Sequence, residues 1–165
     1  MKMSLLLAAT LLTIPLATVA ARADDTTVVV EQPWARATPG GAKTGAVYLT
    51  VIDHGAPDRL IGISTPAADM AMLHESYVEG GISKMRMLDG VALAANTPVA
   101  LHPGAMHIML EGLKAPLKPG ACFPLTLTFA NAPPQTVTVT VLTIGAAGPA
   151  PDTDPAALDK RRTCR

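Results

Sequence analysis

Between Gln135 and Ile144 the chain reads QTVTVTVLTI, with Thr136, Thr138 and Thr140 alternating with Val137, Val139 and Val141. A period of two places one set on a wet face of a sheet and the other on a buried face. Similar patterning predicts strands in TTVVVEQ, GAVYLTVID (Gly45–Asp53), DRLIGIST (Asp58–Thr65), MAMLHESYV (Met70–Val78) and ISKMRML (Ile82–Leu88). It continues through TPVAL and AMHIMLEG to CFPLTLTFA (Cys122–Ala130). Turn residues punctuate the series, with EGG before Ile82, Pro103-Gly104 and NAPP among them. No long stretch has helical spacing, and PAADMAM holds one helical turn at most. Many short strands with regular Gly/Pro breaks predict an all-β sandwich. Pro124 belongs near a strand start or an edge, because it donates nothing to a ladder.

The first segment changes the picture of what is folded. MKMSLLLAATLLTIPLATVAARA has a basic Lys2, an apolar run and an Ala21-Arg22-Ala23 exit, the three-part pattern of a cleaved secretory signal. The expected division is a leader over 1–23, a sandwich domain over 24–144 and a flexible tail over 145–165, rich in Pro, Ala and charge. Removing 23 of 165 residues leaves 142, and removing Lys2 and Arg22 leaves 11 basic against 13 acidic residues, a net charge of about −2. With no basic patch and few aromatics, nucleic acid is not an expected partner. No later apolar run is long enough to span a membrane. Export to an oxidising compartment permits a disulfide between Cys122 and Cys164, but spacing alone leaves a buried Cys122 with a free tail thiol equally open.

Candidate chemistry lies in GAMHIML, which puts Met106, His107 and Met109 within four residues. The expected mature chain has six methionines, Met70, Met72, Met85, Met87, Met106 and Met109, all between positions 70 and 109, and His74 and His107 share that window. Residues i and i+2 of a strand share a face. His107 and Met109 therefore project together with Met106 turned away. Met70, Met72 and His74 share a face of their strand, as do Met85 and Met87 of theirs. A hairpin at Gly80-Gly81 would bring these strands side by side, so that imidazole and thioether groups converge at one rim. Thioether is a soft, uncharged donor that selects Cu(I), whereas structural zinc takes Cys and His in closed tetrahedral sites. Met72 and Met87 are more simply rim or core, and Met106 core. His54 and His102 precede turn glycines and read as solvated. Trp34 reads as a core anchor, and Arg36 as a partner for some carboxylate.

The spacing His74-x10-Met85-x21-His107-x-Met109 resembles the signature of the periplasmic copper-A chaperone (PCuAC) family. VEQPWARATPGGAKTGAVYLTV, DRLIGIST, KMRML, HPGAMHIMLEGLKAPLKPG and PLTLTF are similar to it as well, over roughly Val28 to Ile144. The resemblance implies a cupredoxin-like Greek-key β-sandwich in the periplasm. It implies one Cu(I) per chain, held by His74, Met85, His107 and Met109. It also implies partners, namely cytochrome c oxidase subunit II with its CuA centre, or a Sco-type thiol protein. The chain departs from the pattern in places: Glu75 follows the first His where some members have Met, Asp53 stands where many have Asn, and the tail has no His or Met for a second copper site.

Three classes of function compete. A Cu(I) carrier or copper buffer needs labile soft ligands. An electron-transfer cupredoxin needs a Cys thiolate beside two His, and Cys122 follows the last His outside any short ligand loop. An enzyme is not expected, since no nucleophile elbow or zinc-protease motif is present.

Overall fold

The structure, a computed structural model, describes residues 27–149. The expected leader and the tail beyond residue 149 lie outside the described residues. Ten strands make up the fold: β1 Val28–Arg36, β2 Thr44–Asp53, β3 Asp58–Ser64, β4 Met70–Glu79, β5 Ile82–Leu88, β6 Val91–Leu93, β7 Val99–Leu101, β8 Met106–Glu111, β9 Cys122–Phe129 and β10 Gln135–Leu142. The described residues contain no helix, and PAADMAM forms turns leading into β4. They therefore hold no helix long and apolar enough to cross a membrane.

Hydrogen bonding links the strands in the order β5-β4-β8-β2-β1-β10-β9-β3-β6, with β7 pairing β2. The β1–β10 pair is parallel, joining Trp34–Arg36 to Thr140–Leu142. One apolar cluster takes Val47, Leu73, Ile108 and Leu110 from one half of this path and Leu60, Leu93, Leu125, Leu127 and Val139 from the other. The sheet thus closes over a single core as an all-β sandwich. Pro124 sits three residues into β9, before the β3 pairing that begins at Thr126, so its missing N–H breaks no ladder bond on that side.

Two features differ from the sequence pattern. β1 does not stop at Gln32, because Gln32 takes a φ of +48° and the register slips between Glu31 and Trp34, making a β-bulge. The extra residue lets the strand pass Pro33 and resume at Trp34. It also reverses which face each side chain takes. Val28 therefore faces the core before the bulge, and Ala35 and Ala37 face it after. Trp34 is correspondingly buried but lies outside the core cluster, stacked on Tyr48 with ring centroids 4.6 Å apart. The second difference is β6, three residues in register with Asp58–Leu60, too short to show a period.

Cys122 is disulfide-bonded. The sequence holds one other cysteine, Cys164, which lies outside the described residues.

Candidate metal centre

The core fixes the register that positions the candidate donors. Ile108 and Leu110 are fully buried, and Leu73 is nearly so. Burying such a side chain contributes about 1.5–3 kcal/mol. A one-residue slip of β8 would expose Ile108 and Leu110 and turn His107 and Met109 into the core. The inward residues therefore force His107 and Met109 to the opposite face. The donors accordingly lie on the sheet face turned away from the core, and not at a loop-built end of the sandwich.

On that face His74 stands opposite His107, and Met72 opposite Met109, across the β4–β8 ladder. On the other side of β4, His74 stands opposite Met87 and Ser76 opposite Met85. Met85 is thus the diagonal neighbour of His74, and the two touch: His74 Nδ1 lies 3.1 Å from Met85 Sδ. That separation suits an N–H donating to a thioether. It also matches two donors sharing one ion at roughly a right angle, taking M–N and M–S bonds of about 2.0 and 2.3 Å from zinc sites. The His74 and His107 rings are 6.1 Å apart, edge to face at 63°. The structure thus brings His74, Met85 and His107 together, and register places Met109 beside them.

His107 is 7% exposed, whereas Met85 is 52% exposed. His107 Nδ1 donates to the Ala105 carbonyl at 3.0 Å. A carbonyl only accepts, so this partner assigns the ring proton to Nδ1 and leaves Nε2 as the lone-pair donor. An orienting hydrogen bond of this kind is what metal-ligating imidazoles ordinarily have.

A further pair supports His107 from behind. Val47, Leu49 and Val51 point inward, so Tyr48 points outward, and its ring centroid is 6.4 Å from that of His107. Trp34, Tyr48, His107 and His74 thus form a row across four strands. Arg36 lies over Tyr48 at 5.9 Å and donates to the Ala146 carbonyl, and among the described residues it forms no ion pair with a carboxylate. Burial pushes the Tyr48 hydroxyl pKa up, and the Arg36 charge partly offsets this. Tyr48 is not among the residues that spacing and chemistry single out in the sequence, although the Val/Tyr/Leu alternation of GAVYLTV marks it as outward.

The charged side chains of β4 and β5 are kept off this face. Glu75 points to the other side of β4, where it meets Arg86 with an N–O distance of 2.6 Å. Lys84 pairs with Glu79 there as well. Met106 packs against the core, while His54 and His102 are exposed and bond Asn96 and the Pro103 carbonyl. Among the described residues no three His, Cys, Asp or Glu side chains gather to hold an ion. A metal at this face would therefore depend on thioether sulfur.

This fold and this His/Met face define a PCuAC-like domain with a cupredoxin-like sandwich. The family model described as "Putative lipoprotein LpqE-like" matches residues 28–141, and the chain belongs to that family. It is 33% identical over 116 residues to "Putative lipoprotein Lxx21020" of Leifsonia xyli subsp. xyli, covering 69% of each chain. Among solved structures it is similar to the Cu(I) form of DR1885 from Deinococcus radiodurans, at 31% identity and a TM-score of 0.57, over 74% of this chain and 81% of that one. The apo form of DR1885 matches at 28% identity and 0.58, over 87% and 97%. The copper-bound PCuAC domain of PmoF2 shares the fold at 24% identity and 0.61, over 71% and 93%.

Proposed function

We propose that this chain is an exported carrier that holds one Cu(I) ion at His74, Met85, His107 and Met109 and passes it to another protein. The contact between His74 Nδ1 and Met85 Sδ, with the His107 ring alongside, carries this reading. Two imidazoles and two thioethers form an uncharged set. The cost of desolvating an ion grows with the square of its charge, so a neutral, partly buried set favours a monovalent ion over a divalent one. Soft sulfur favours copper among the biological candidates. Solved relatives described as copper-bound support the same choice.

The chemistry is ligand exchange, with no bond made or broken in the protein. His107 is the fixed donor, held by Ala105 and Tyr48. Met85, on the exposed β4–β5 hairpin, is the donor an incoming ligand reaches first. Acceptor groups displace thioether and imidazole one at a time, and thiolates on the acceptor bind Cu(I) more strongly and so give direction. The acceptor inferred from family resemblance is the CuA centre of cytochrome c oxidase subunit II, or a Sco-type thiol protein. The setting is the periplasm, after loss of residues 1–23, with 24–144 as the carrier domain and 145–165 as a tail. Related chains named as lipoproteins support export. Buffering of excess copper uses the same site. Electron transfer of the blue-copper kind requires a thiolate, and the disulfide at Cys122 withholds it.

Anaerobic Cu(I) titration against a competing chelator tests the reading. The wild-type chain should take up one tightly held equivalent. Replacing Met85 and Met109 together by Leu, a near-isosteric change in volume, should abolish that uptake with the fold retained. Unchanged uptake would refute the site.

A further inference from the structure

Two more thioethers lie on the same face of β4. Met72 stands opposite Met109 and Met70 opposite Glu111, so both share the side taken by His74. At this end β4 has no strand hydrogen-bonded to its outer flank, because β5 pairs no further than Leu73. Next to that open flank is a cavity of about 290 Å³, whose lining includes Ile63, Thr65, Asp69, Met70 and Met72. Packing does not account for the pair. The core cluster and the apolar residues packed against it include Met106 but neither Met70 nor Met72, and Met70 is 52% exposed.

Nor does the cavity suit a hard cation. Asp69, its carboxylate, is engaged by Lys114. Glu111 adds one negative charge beside Met70, which attracts any cation, and the lining sets the soft thioethers of Met70 and Met72 beside the neutral hydroxyls of Ser64 and Thr65, the latter donating to the Pro124 carbonyl. Two residues along a strand span about 6.6 Å. An ion held by Met70 and Met72 would thus sit within one short step of Met109 and His74.

We propose that Met70 and Met72 form a second position for a soft monovalent ion, Cu(I) or Ag(I), at this cavity and weaker than the four-donor site. With two thioethers and no imidazole it fills second and empties first. As a waypoint for cargo it rests on the carrier reading above.

The test is a titration of the chain from Asp24 to Arg165, labelled with ¹³C at the methionine methyls, with Ag(I) as probe. The first equivalent should shift the Met85 and Met109 methyls, and further equivalents should shift Met70 and Met72. The Met70→Leu, Met72→Leu double variant should lose the later event and keep the first. Met70 and Met72 signals that stay put while Met85 and Met109 move would overturn the second position and leave the carrier reading intact. No movement of any of the four would overturn both. Movement of Met72 within the first equivalent would make it a donor of the first site and overturn a separate position.

Discussion

His74 and His107 face each other directly across the β4–β8 ladder, with ring centroids 6.1 Å apart. The adjacent cross-strand pair, Leu73 with Ile108, points the other way into the core. The same ladder that secures the apolar core therefore sets the two imidazoles together. From this relationship and its surroundings the following outcomes are expected.

The β4–β5 turn tunes the site. Gly80 and Gly81 have φ of +60° and +78°, the pattern of a type I′ hairpin turn, and nothing lies within 4 Å of a Cβ added at either. Replacing either by Val should cost about 1–2 kcal/mol through backbone strain alone. The hairpin tip is exposed and carries Met85, so the loss should appear in Cu(I) affinity, by roughly tenfold, with little change in Tm. Chelator competition and circular dichroism together check this, and an unaltered affinity would count against a donor on β5.

Trp34 should report occupancy. It is the sole tryptophan, stacked on Tyr48, which in turn adjoins His107. Cu(I) or Ag(I) uptake should change its emission in proportion to the first equivalent. In Tyr48→Ala the response should shrink, and stability should fall by about 3–5 kcal/mol, as for truncation of other buried aromatics. Fluorescence titration and denaturant unfolding measure the two effects.

Asp58 makes stability fall in acid. Burial of its carboxyl would raise the pKa, but hydrogen bonds from the Ala132, Arg59 and Asn131 amides and the Asn131 side chain outweigh this and hold it below the ordinary value. A carboxyl with a lowered folded-state pKa stabilises above its unfolded value, about 3.9, and that contribution is lost as pH falls through the folded value. Asp58→Ala should cost about 1–3 kcal/mol at neutral pH, and the gap to wild type should narrow below about pH 4. Thermal unfolding across pH checks the sign.

The strand series and the shared faces of His74, Met72, His107 and Met109 were legible in the sequence, since alternation at period two is local. What placed β8 between β4 and β2 was not, because strand order depends on contacts between distant segments. Trp34 is buried, as an anchor should be, but its packing on Tyr48 outside the central cluster was not legible, because the bulge at Gln32-Pro33 inserts one residue and inverts the alternation. The three residues of β6 are too few to carry a period. The siting of the donors on an outer face followed from Ile108 and Leu110 pointing inward, a consequence that becomes visible only once the core partners of β8 are known.

X-ray absorption at the copper edge, on the chain loaded with one equivalent of Cu(I), tests the central claim most directly. The account predicts two sulfur and two nitrogen neighbours in the wild-type chain, and loss of both sulfurs when Met85 and Met109 are replaced by Leu. A wild-type spectrum with no sulfur, or one whose sulfurs persist in that variant, would contradict it.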